Sequence, residues 1–397
     1  MKIVHLVTST TGGAAQAAIR LHEALLEANC NSRIFSVERR IQKVNSEIVK
    51  IQRLSASVRI ASSTTTLIQQ KLIQKTYNPV SPISLDLLDW DDPEIASADV
   101  LHLHAFYNLV SIRSFLKKYP RKKKVVTLHD ERFYTGGCHN SMGCDQIATG
   151  CQNCPQVRTL FRPLVAAQRK NVLKLIGSEQ GVTFICPSSW MLERAMSAFP
   201  DFPRSQFVQI YNPIPRYVTL TNPSTPRVEG INFGFISQSL DNPIKNLDLL
   251  LSAFRQMSKG DLGRNSLILV GESEKDYSDH NLNISQTVAA STNELHRLFS
   301  EIDVLVVPSS HDNLPNVLGE ALMSGVGLIG SSAGGIPEIV KLFRQSLFIN
   351  GDKEGLVQAL KDSKLPDRSH IQEQASSVFG YSKIVTKMLE VYSSPHR

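Results

Sequence analysis

The stretch from Val304 to Val340 constrains the fold of this chain more than any other. Its first four residues form an apolar run of the kind found in strands buried on both faces of a parallel sheet. A polar turn and a predicted helix over 316–323 follow, and 326–329 predicts the next strand. Successive parallel strands end at one edge of a sheet, which is where open α/β sheets bind ligands. Helix N-termini at that edge suit phosphate groups.

Two carboxylates lie in this stretch. Asp312 is in the polar turn and Glu320 is in the helix, with seven residues between them. Pro315 stands where a helix begins and where its missing N–H does no harm. An isolated acid pair at this spacing is more often a helix cap and a solvated side chain than a binding site. The flanking residues, ending in Gly-Gly-Ile-Pro-Glu at 334–338, favour a binding site.

The whole segment VPSSHDNLPNVLGEALMSGVGLIGSSAGGIPEIV resembles the donor-sugar signature of family-4 retaining glycosyltransferases. Those enzymes have the α/β GT-B fold, with two Rossmann-like domains that face each other across a cleft. Most of the family has Glu where this chain has Asp312, and a subgroup with Asp-Asn-Leu-Pro-Asn looks the same as this chain. The resemblance implies that Asp312 contacts sugar hydroxyls and that Glu320 binds ribose hydroxyls. It also implies that the backbone of a short run holds the sugar and diphosphate, namely Asn313, Leu314, Pro315, Asn316 and Val317.

The first domain is predicted over 1–212. It opens with a strand, a turn at Gly12-Gly13 and an Ala-rich helix, as Rossmann-like domains do. The G-x-G-x-x-G dinucleotide fingerprint is absent, so the glycines by themselves indicate only a tight turn or a ligand loop. In the resembling family a Gly-Gly loop here faces the cleft, near donor phosphate or acceptor, which makes Gly12 and Gly13 candidate donor-binding residues.

The proline-rich segment 212–229 predicts a linker, and the second domain is predicted over 230–380. By resemblance, a final helix over 381–395 packs back on the first domain. The family carries an Arg and a Lys that neutralise the diphosphate in the first loop of the second domain. Lys245 matches the Lys, but Ser237 and Gln238 stand where the Arg is expected, so part of the phosphate clamp is missing.

His129 follows a predicted strand over 125–128 and therefore lies at the ligand edge of the first domain. From its position alone, a structural histidine and a functional one are equally good interpretations. The resemblance favours function, because a histidine in this region of the family lies over the donor sugar. His129, Lys245 and Asp312 are therefore the predicted catalytic residues.

Four of the six cysteines lie within seventeen residues, namely Cys138, Cys144, Cys151 and Cys154. Thiols at this density favour a structural zinc ion over disulfides in a cytoplasmic chain, with His139 as a replacement ligand. Free reduced thiols and a redox-sensitive pair are the alternatives. A similar loop occurs in a subgroup of the family that builds bacterial surface polysaccharides, and its position after His129 places it near the acceptor side of the cleft.

Charge is unevenly distributed along the 397 residues. The net charge is +7, and residues 1–195 hold 25 Lys and Arg against 15 Asp and Glu. The densest basic cluster runs from Lys117 to Lys124 and predicts either a solvated face or contact with anionic lipid. Nucleic acid is not an expected partner, because no aromatic platform accompanies the cluster. No apolar run is long enough to span a bilayer, so we expect a cytoplasmic protein, with peripheral contact at the inner membrane face.

These patterns and the resemblance together predict a hexosyltransferase-type enzyme that uses a nucleotide-sugar donor and a glycan or lipid-linked glycan acceptor. The resemblance implies retention of anomeric configuration and no cofactor required for catalysis. Two other functions fit the same pattern. One is a nucleotide-sugar epimerase or hydrolase, and the other is a non-catalytic sugar-binding or scaffold subunit, which the missing Arg keeps open.

Overall fold

The computed structural model describes residues 1–37, 49–52, 54–178, 181–216, 230–257, 265–289 and 291–394. The chain divides into two compact units. The first comprises Met1–Pro213 with Tyr381–Arg397, and the second comprises Ile214–Gly380. Most of the predicted linker, 217–229, lies outside the described residues. No helix in the described part of the chain combines the length and apolarity needed to cross a bilayer.

The first unit is built on a parallel sheet of seven strands in the order β3-β2-β1-β4-β5-β6-β7. The strands are β1 (Lys2–Val7), β2 (Asn31–Ser36), β3 (Val49–Ile51), β4 (Val100–Ala105), β5 (Lys123–Thr127), β6 (Val182–Cys186) and β7 (Phe207–Gln209). The central strands are almost wholly buried because helices cover both faces, which explains their continuous apolar composition.

The helices described in the first unit are α1 (Gly13–Glu27), α2 (Ala56–Ile68), α3 (Pro93–Ala96), α4 (Ile112–Lys117), α5 (Arg162–Gly177) and α6 (Ser189–Ala198). A π-helical turn, Gln69–Ile73, continues α2. The C-terminal helix Tyr381–Ser393 also belongs to this unit. Its buried Ile384 and Met388 pack with Leu21 and Leu25 of α1 in one apolar cluster, which holds the helix against the sheet.

The second unit contains a parallel sheet of six strands in the order β10-β9-β8-β11-β12-β13. The strands are β8 (Asn232–Ser239), β9 (Ser266–Glu272), β10 (Ile284–Thr287), β11 (Val304–Val307), β12 (Gly327–Ser331) and β13 (Ser346–Phe348). The helices described here are α7 (Leu247–Gln256), α8 (Thr292–Glu301), α9 (Asn316–Met323), α10 (Ile336–Leu342), α11 (Lys353–Lys361) and α12 (Arg368–Phe379); the C-terminal helix is α13.

The local elements of the second unit follow the sequence closely, with two differences. Helix α9 has the predicted bounds, but Pro315 occupies the N-cap position rather than the first turn. The sequence also predicts a helix that begins at Lys245-Asn246, but α7 begins at Leu247, because Lys245 ends a short 3₁₀ turn and Asn246 adopts a left-handed conformation with φ 56°. That conformation turns the chain before the helix starts.

The basic cluster at Lys117–Lys124 is not the free cationic face that its composition suggests. Lys122 Nζ donates to the carbonyl oxygens of Ala96 and Ala98 at 2.6 and 2.5 Å. Lys123 Nζ donates to Ser394 Oγ at 2.8 Å, and Lys124 is 2% exposed with its Nζ on a backbone carbonyl. At least three of its six cations therefore donate to acceptors of the protein itself, and contact of the cluster with lipid stays a prediction.

Candidate functional site

Two loops meet at the carboxyl edge of the second sheet. Lys245 comes from the loop after β8, and Asp312 comes from the loop after β11, the next strand in the sheet. Lys245 Nζ lies 2.5 Å from Asp312 Oδ2, and both side chains are partly exposed. Ser310 N donates to the carbonyl of Ile244 at 2.8 Å, which ties the loops together. The structure thus brings together the predicted cation and the predicted sugar-contacting acid.

The Gly-Gly loop after β12 packs directly on Asp312. Gly334 has φ +57°, and a Cβ atom added there would lie 1.6 Å from the Asp312 carbonyl oxygen. Gly335 N donates to the same oxygen at 3.1 Å. Only glycine fits such an approach, because any side chain would displace the backbone that carries Asp312. This contact gives the Gly-Gly pair of the motif a physical role in fixing the acid.

Glu320 lies on α9 and is only 7% exposed. It is therefore not the solvated helix side chain that was the alternative to a binding site. Pro315, at the N-cap, has no side-chain oxygen with which to satisfy the first N–H groups of α9. Asn313 is also buried, whereas Leu314, Asn316 and Val317 are half-buried at the start of the helix. The predicted donor-binding run therefore forms one helix N-terminus beside Asp312.

The first unit has a cavity of about 200 Å³ at the carboxyl ends of β1, β4 and β5. Thr8, His104, Thr127, His129 and Arg132 are among its lining residues. Asp130 and His139 also line the cavity. His139 Nδ1 lies 2.6 Å from Asp130 Oδ2. Gly12, at φ +89°, precedes α1, and Gly13 is the first residue of that helix. Gly12, Gly13 and His129 thus lie in the first unit, as the four predicted zinc ligands do, and the other predicted donor-binding and catalytic residues lie in the second.

A row of histidines extends from the cavity into the sheet. His129 Nε2 lies 3.1 Å from His104 Nδ1, and His104 Nε2 lies 3.0 Å from His5 Nδ1. Sequence reasoning identified His129 but missed His5 and His104. His5 is on β1, and the adjacency of β1 and β4 places it beside the His-x-His of β4. The sequence signal for this row is the presence of histidines on short apolar strands. It becomes informative only when the order of the strands in the sheet is known.

Burial keeps this row neutral. It lowers the pKa of His5 to about 3 and the pKa of His129 to about 4. Burial also lowers the pKa of His104 well below its ordinary value, and the neighbouring histidines lower it further. A charged imidazole would lose hydration that these surroundings do not replace. At neutral pH His129 can therefore donate or accept a hydrogen bond but carries no charge.

The unpaired end of the row determines where the protons lie. Each neutral ring has one N–H, so the hydrogen bonds run in one direction, and either direction leaves the buried His5 Nε2 without a partner. A buried acceptor without a partner is more common than a buried N–H without one. We therefore assign donation from His5 to His104 and from His104 to His129. In this arrangement His129 accepts at Nε2 and carries its proton on Nδ1.

The cysteine-rich loop is anchored by a buried ion pair. Glu131 is 1% exposed and lies 2.5 Å from Arg194 Nε of α6. Its second oxygen accepts from Ser141 N, inside the loop. Cys138, Cys151 and Cys154 are buried and Cys144 is half-buried. Burial, then Glu131 and the other three thiols, raise the pKa of Cys138 well above its ordinary value. Cys151 and Cys154 share one apolar cluster.

Metal ligation has one geometric candidate in the described part of the chain. The ligand atoms of His5, His102 and His104 all lie within 4.8 Å of one another, whereas the cysteines do not form a group of this kind. Both ring nitrogens of His102 already have partners at 2.7 Å, Tyr392 OH and Thr127 Oγ1. His102 therefore has no ring nitrogen left for a metal ion. A zinc ion on the cysteines would have to draw the sulfurs to about 3.8 Å apart.

Comparison with known proteins agrees with this architecture. Residues 230–363 match the family described as glycosyl transferases group 1, which is about a third of the chain. The chain is 31% identical over 115 residues to the putative colanic acid biosynthesis glycosyl transferase WcaC of Escherichia coli K12. That match covers 25% of this chain and 28% of WcaC, so the chain spans little more than a quarter of that relative's length.

Solved structures resemble the whole chain. Anabaena HepE in complex with UDP-glucose superposes with a TM-score of 0.63 at 16% identity and covers 100% of both chains. WaaG, a glycosyltransferase involved in lipopolysaccharide biosynthesis, gives 0.61 at 10% identity and covers 99% of this chain and 100% of its own. At these identities the likeness concerns the fold. The predicted fold class is confirmed: the chain has the GT-B fold of two parallel α/β domains, and the second carries the match to the glycosyl transferases group 1 family.

Proposed function

We propose that this chain is a retaining glycosyltransferase of family 4 that moves a sugar from a nucleoside diphosphate-sugar to a hydroxyl group of a glycan or lipid-linked glycan. The observation that carries the proposal is the Lys245–Asp312 pair beside the N-terminus of α9, with Glu320 buried on that helix. This edge joins a cation and a helix N-terminus, which suit a diphosphate, to two carboxylates that can accept hydrogen bonds from hydroxyl groups.

The comparisons support the donor and acceptor classes. HepE is solved with UDP-glucose and with UDP and glucose, and WcaC is named for the biosynthesis of colanic acid. We extend the donor class, a nucleotide-sugar, and the acceptor class, a growing glycan, to this chain. The chain would act as a cytoplasmic protein at an anionic membrane face, where a lipid-linked acceptor is presented.

The proposed step needs no protein nucleophile. The bond between the anomeric carbon and the β-phosphate oxygen breaks as the acceptor oxygen bonds to the anomeric carbon on the same face. The acceptor's proton passes to the departing phosphate oxygen. Lys245 stabilises the negative charge that develops on this diphosphate, and the backbone N–H groups at the start of α9 assist it. Asp312 orients the sugar.

His129 has a positioning and hydrogen-bonding role in this proposal. The role that the resemblance gives it, a hydrogen bond to the donor sugar, suits an imidazole whose lowered pKa keeps it neutral. Its Nδ1–H would donate to a sugar oxygen, since His104 occupies Nε2. A neutral donor also avoids placing a second cation beside the developing charge at the anomeric carbon.

The test is a panel of UDP-, GDP- and ADP-sugars, first for binding and then for transfer to octyl glycosides that carry different sugars. We expect one nucleotide class to bind and to be consumed only when an octyl glycoside is present, with a product heavier by one sugar. The control is Leu365→Ser, an exposed residue of the second unit beside Pro366, which lies near the first residue of β12 at the opposite edge of the sheet; this variant should behave as the wild type.

The same panel separates the other two functions. Consumption of the donor without any acceptor indicates a hydrolase, and a changed sugar on the nucleotide indicates an epimerase. Binding without turnover on any acceptor indicates a sugar-binding subunit. No binding to any nucleotide-sugar would contradict all three and the assignment of the site.

We also propose that the cysteine loop holds a structural zinc ion through Cys138, Cys144, Cys151 and Cys154. The support is the presence of four thiols within seventeen residues of one anchored loop, three of them buried. Zinc analysis of protein purified without chelator should give about one ion per chain, and Cys151→Ser should lower that ratio and the midpoint of thermal unfolding together. Cys30→Ser, a cysteine outside the loop, is the matched control. Protein that is folded, stable and free of zinc would contradict the proposal.

A further inference from the structure

The outer face of helix α2 is apolar although it faces solvent. The inner face of the helix and its π-helical turn packs through residues such as Ser62, Gln69 and Ile73, which are at most 2% exposed. The outer face carries large apolar side chains with high exposure: Ile60 at 67%, Leu67 at 55%, Ile68 at 40% and Leu72 at 51%. Single exposed apolar residues are common, but four on one face form a patch that indicates an interaction site.

A second segment extends this patch. Leu160, in the 3₁₀ turn before α5, is 82% exposed, and Leu164, in the first turn of α5, is 37% exposed. The backbone joins this segment to the end of the helix. Arg158 N donates to Ile73 O at 3.0 Å, and Arg158 Nη2 donates to Lys71 O at 3.1 Å. The apolar residues of both segments thus belong to one continuous part of the first unit.

The charges of these two segments have a single sign. Residues 48–85 and 146–178 contain no Asp or Glu, although both stretches contain several Lys and Arg. Exposed cations lie among the apolar side chains, namely Arg59, Lys71, Lys75 and Arg158. A protein partner whose surface carries both positive and negative charges would not explain the absence of acidic residues. An anionic bilayer does, since apolar side chains enter the acyl boundary and cations stay with the headgroups.

We propose that this apolar-basic surface, formed by α2 with its π-helical turn and by 158–164, is the site where the chain docks on an anionic lipid bilayer. Leu67 and Leu160 would insert below the headgroups, while the exposed Arg59 and Lys71 would pair with lipid phosphates. This surface is separate from the Lys117–Lys124 cluster, in which at least three of the six cations donate to acceptors of the protein. The proposed lipid contact does not depend on the proposed function. Only the delivery of a lipid-linked acceptor at this surface rests on that function.

The test is cosedimentation of the full chain with vesicles of phosphatidylcholine alone and with a quarter phosphatidylglycerol. The wild type should bind the anionic vesicles, bind the neutral vesicles at least tenfold more weakly, and lose affinity as salt is raised. The double variant Ile60→Ser/Leu67→Ser should bind the anionic vesicles at least tenfold more weakly. Its thermal unfolding should be unchanged, because both side chains are exposed.

Two matched controls make the test specific. Leu347→Ser/Ile349→Ser removes two exposed apolar side chains, 37% and 70% exposed, from the second unit. Lys117→Gln/Lys118→Gln removes two exposed charges from the Lys117–Lys124 cluster. Both should bind the anionic vesicles like the wild type.

Three outcomes would overturn the proposal. One is equal vesicle binding by the α2 variant and the wild type, and another is loss of binding in the lysine control. The third is a change from dimer to monomer in the α2 variant by sedimentation velocity, which would assign the surface to a second copy of the chain. Nucleotide-sugar binding by the same variants is expected to be unchanged, so a failure of the donor assignment remains distinguishable from a failure of this one.

Discussion

Replacing Lys245 with alanine is expected to lower the rate of sugar transfer by about 100- to 1000-fold, the usual effect of removing a preorganised group that stabilises developing charge. The effect should be large here because the segment that carries Lys245 supplies no arginine: Ser237 and Gln238 stand in the expected place. The variant also leaves Asp312 without the ammonium group that lies 2.5 Å from it. The measurement is kcat for the donor that the panel identifies, together with the donor Kd.

A matched lysine separates this role from a general effect of charge. Lys275 is exposed and lies in the same unit, so Lys275→Ala changes the net charge equally but should keep kcat within about twofold of the wild type. Thermal unfolding of Lys245→Ala should stay close to the wild type, because exposed ion pairs contribute little stability. A kcat within threefold of the wild type in Lys245→Ala would remove this residue from the mechanism.

The first unit is expected to lose stability steeply between pH 6.5 and pH 4. Its buried histidines are neutral when folded, but in the unfolded chain they bind protons below their ordinary pKa of 6.5. Their folded pKa values are lowered, so stability is complete above pH 6.5 and falls as the unfolded chain takes up protons. For His5, with a pKa of about 3, the loss between pH 7 and pH 5 is about 2 kcal/mol, and the other buried histidines act in the same direction.

Tryptophan fluorescence can measure this loss in the first unit alone, because Trp90 and Trp190 both lie there. Urea unfolding at pH 7, 6 and 5 should show a falling free energy of unfolding. His22→Gln removes one histidine whose pKa burial lowers to about 4 and should reduce the pH dependence, whereas the exposed His370→Gln should not. Coincident unfolding curves at pH 7 and pH 5 would show that these histidines do not control stability.

The sequence predicted the second unit well because its signals are local. The apolar run of β11 and the proline and glycine around α9 gave the bounds of both elements, which the structure confirms. The close packing of Gly334 on Asp312 was not visible, since it depends on how two loops approach each other. The motif pointed to both residues, but the reason for glycine became clear only from the contact.

Sequence reasoning did not predict the long-range features of the first unit. The row from His5 to His129 requires β1, β4 and β5 to be neighbours, and strand order is not encoded in any one segment. The basic cluster misled for a similar reason. A count of lysines does not show that Lys122 and Lys124 already donate to backbone carbonyls, so charge density overstated the free cationic surface.

The central claim, a nucleotide-sugar site at the carboxyl edge of the second sheet, is tested most directly by titrating the donor panel into the wild type and into Glu320→Gln. Glu320 is 7% exposed on α9, and the assigned role is to bind ribose hydroxyls. We predict that one nucleotide class binds the wild type and that its Kd rises at least tenfold in Glu320→Gln, with the fold intact. Equal affinity in both proteins, or no binding of any nucleotide-sugar to the folded wild type, would contradict the claim.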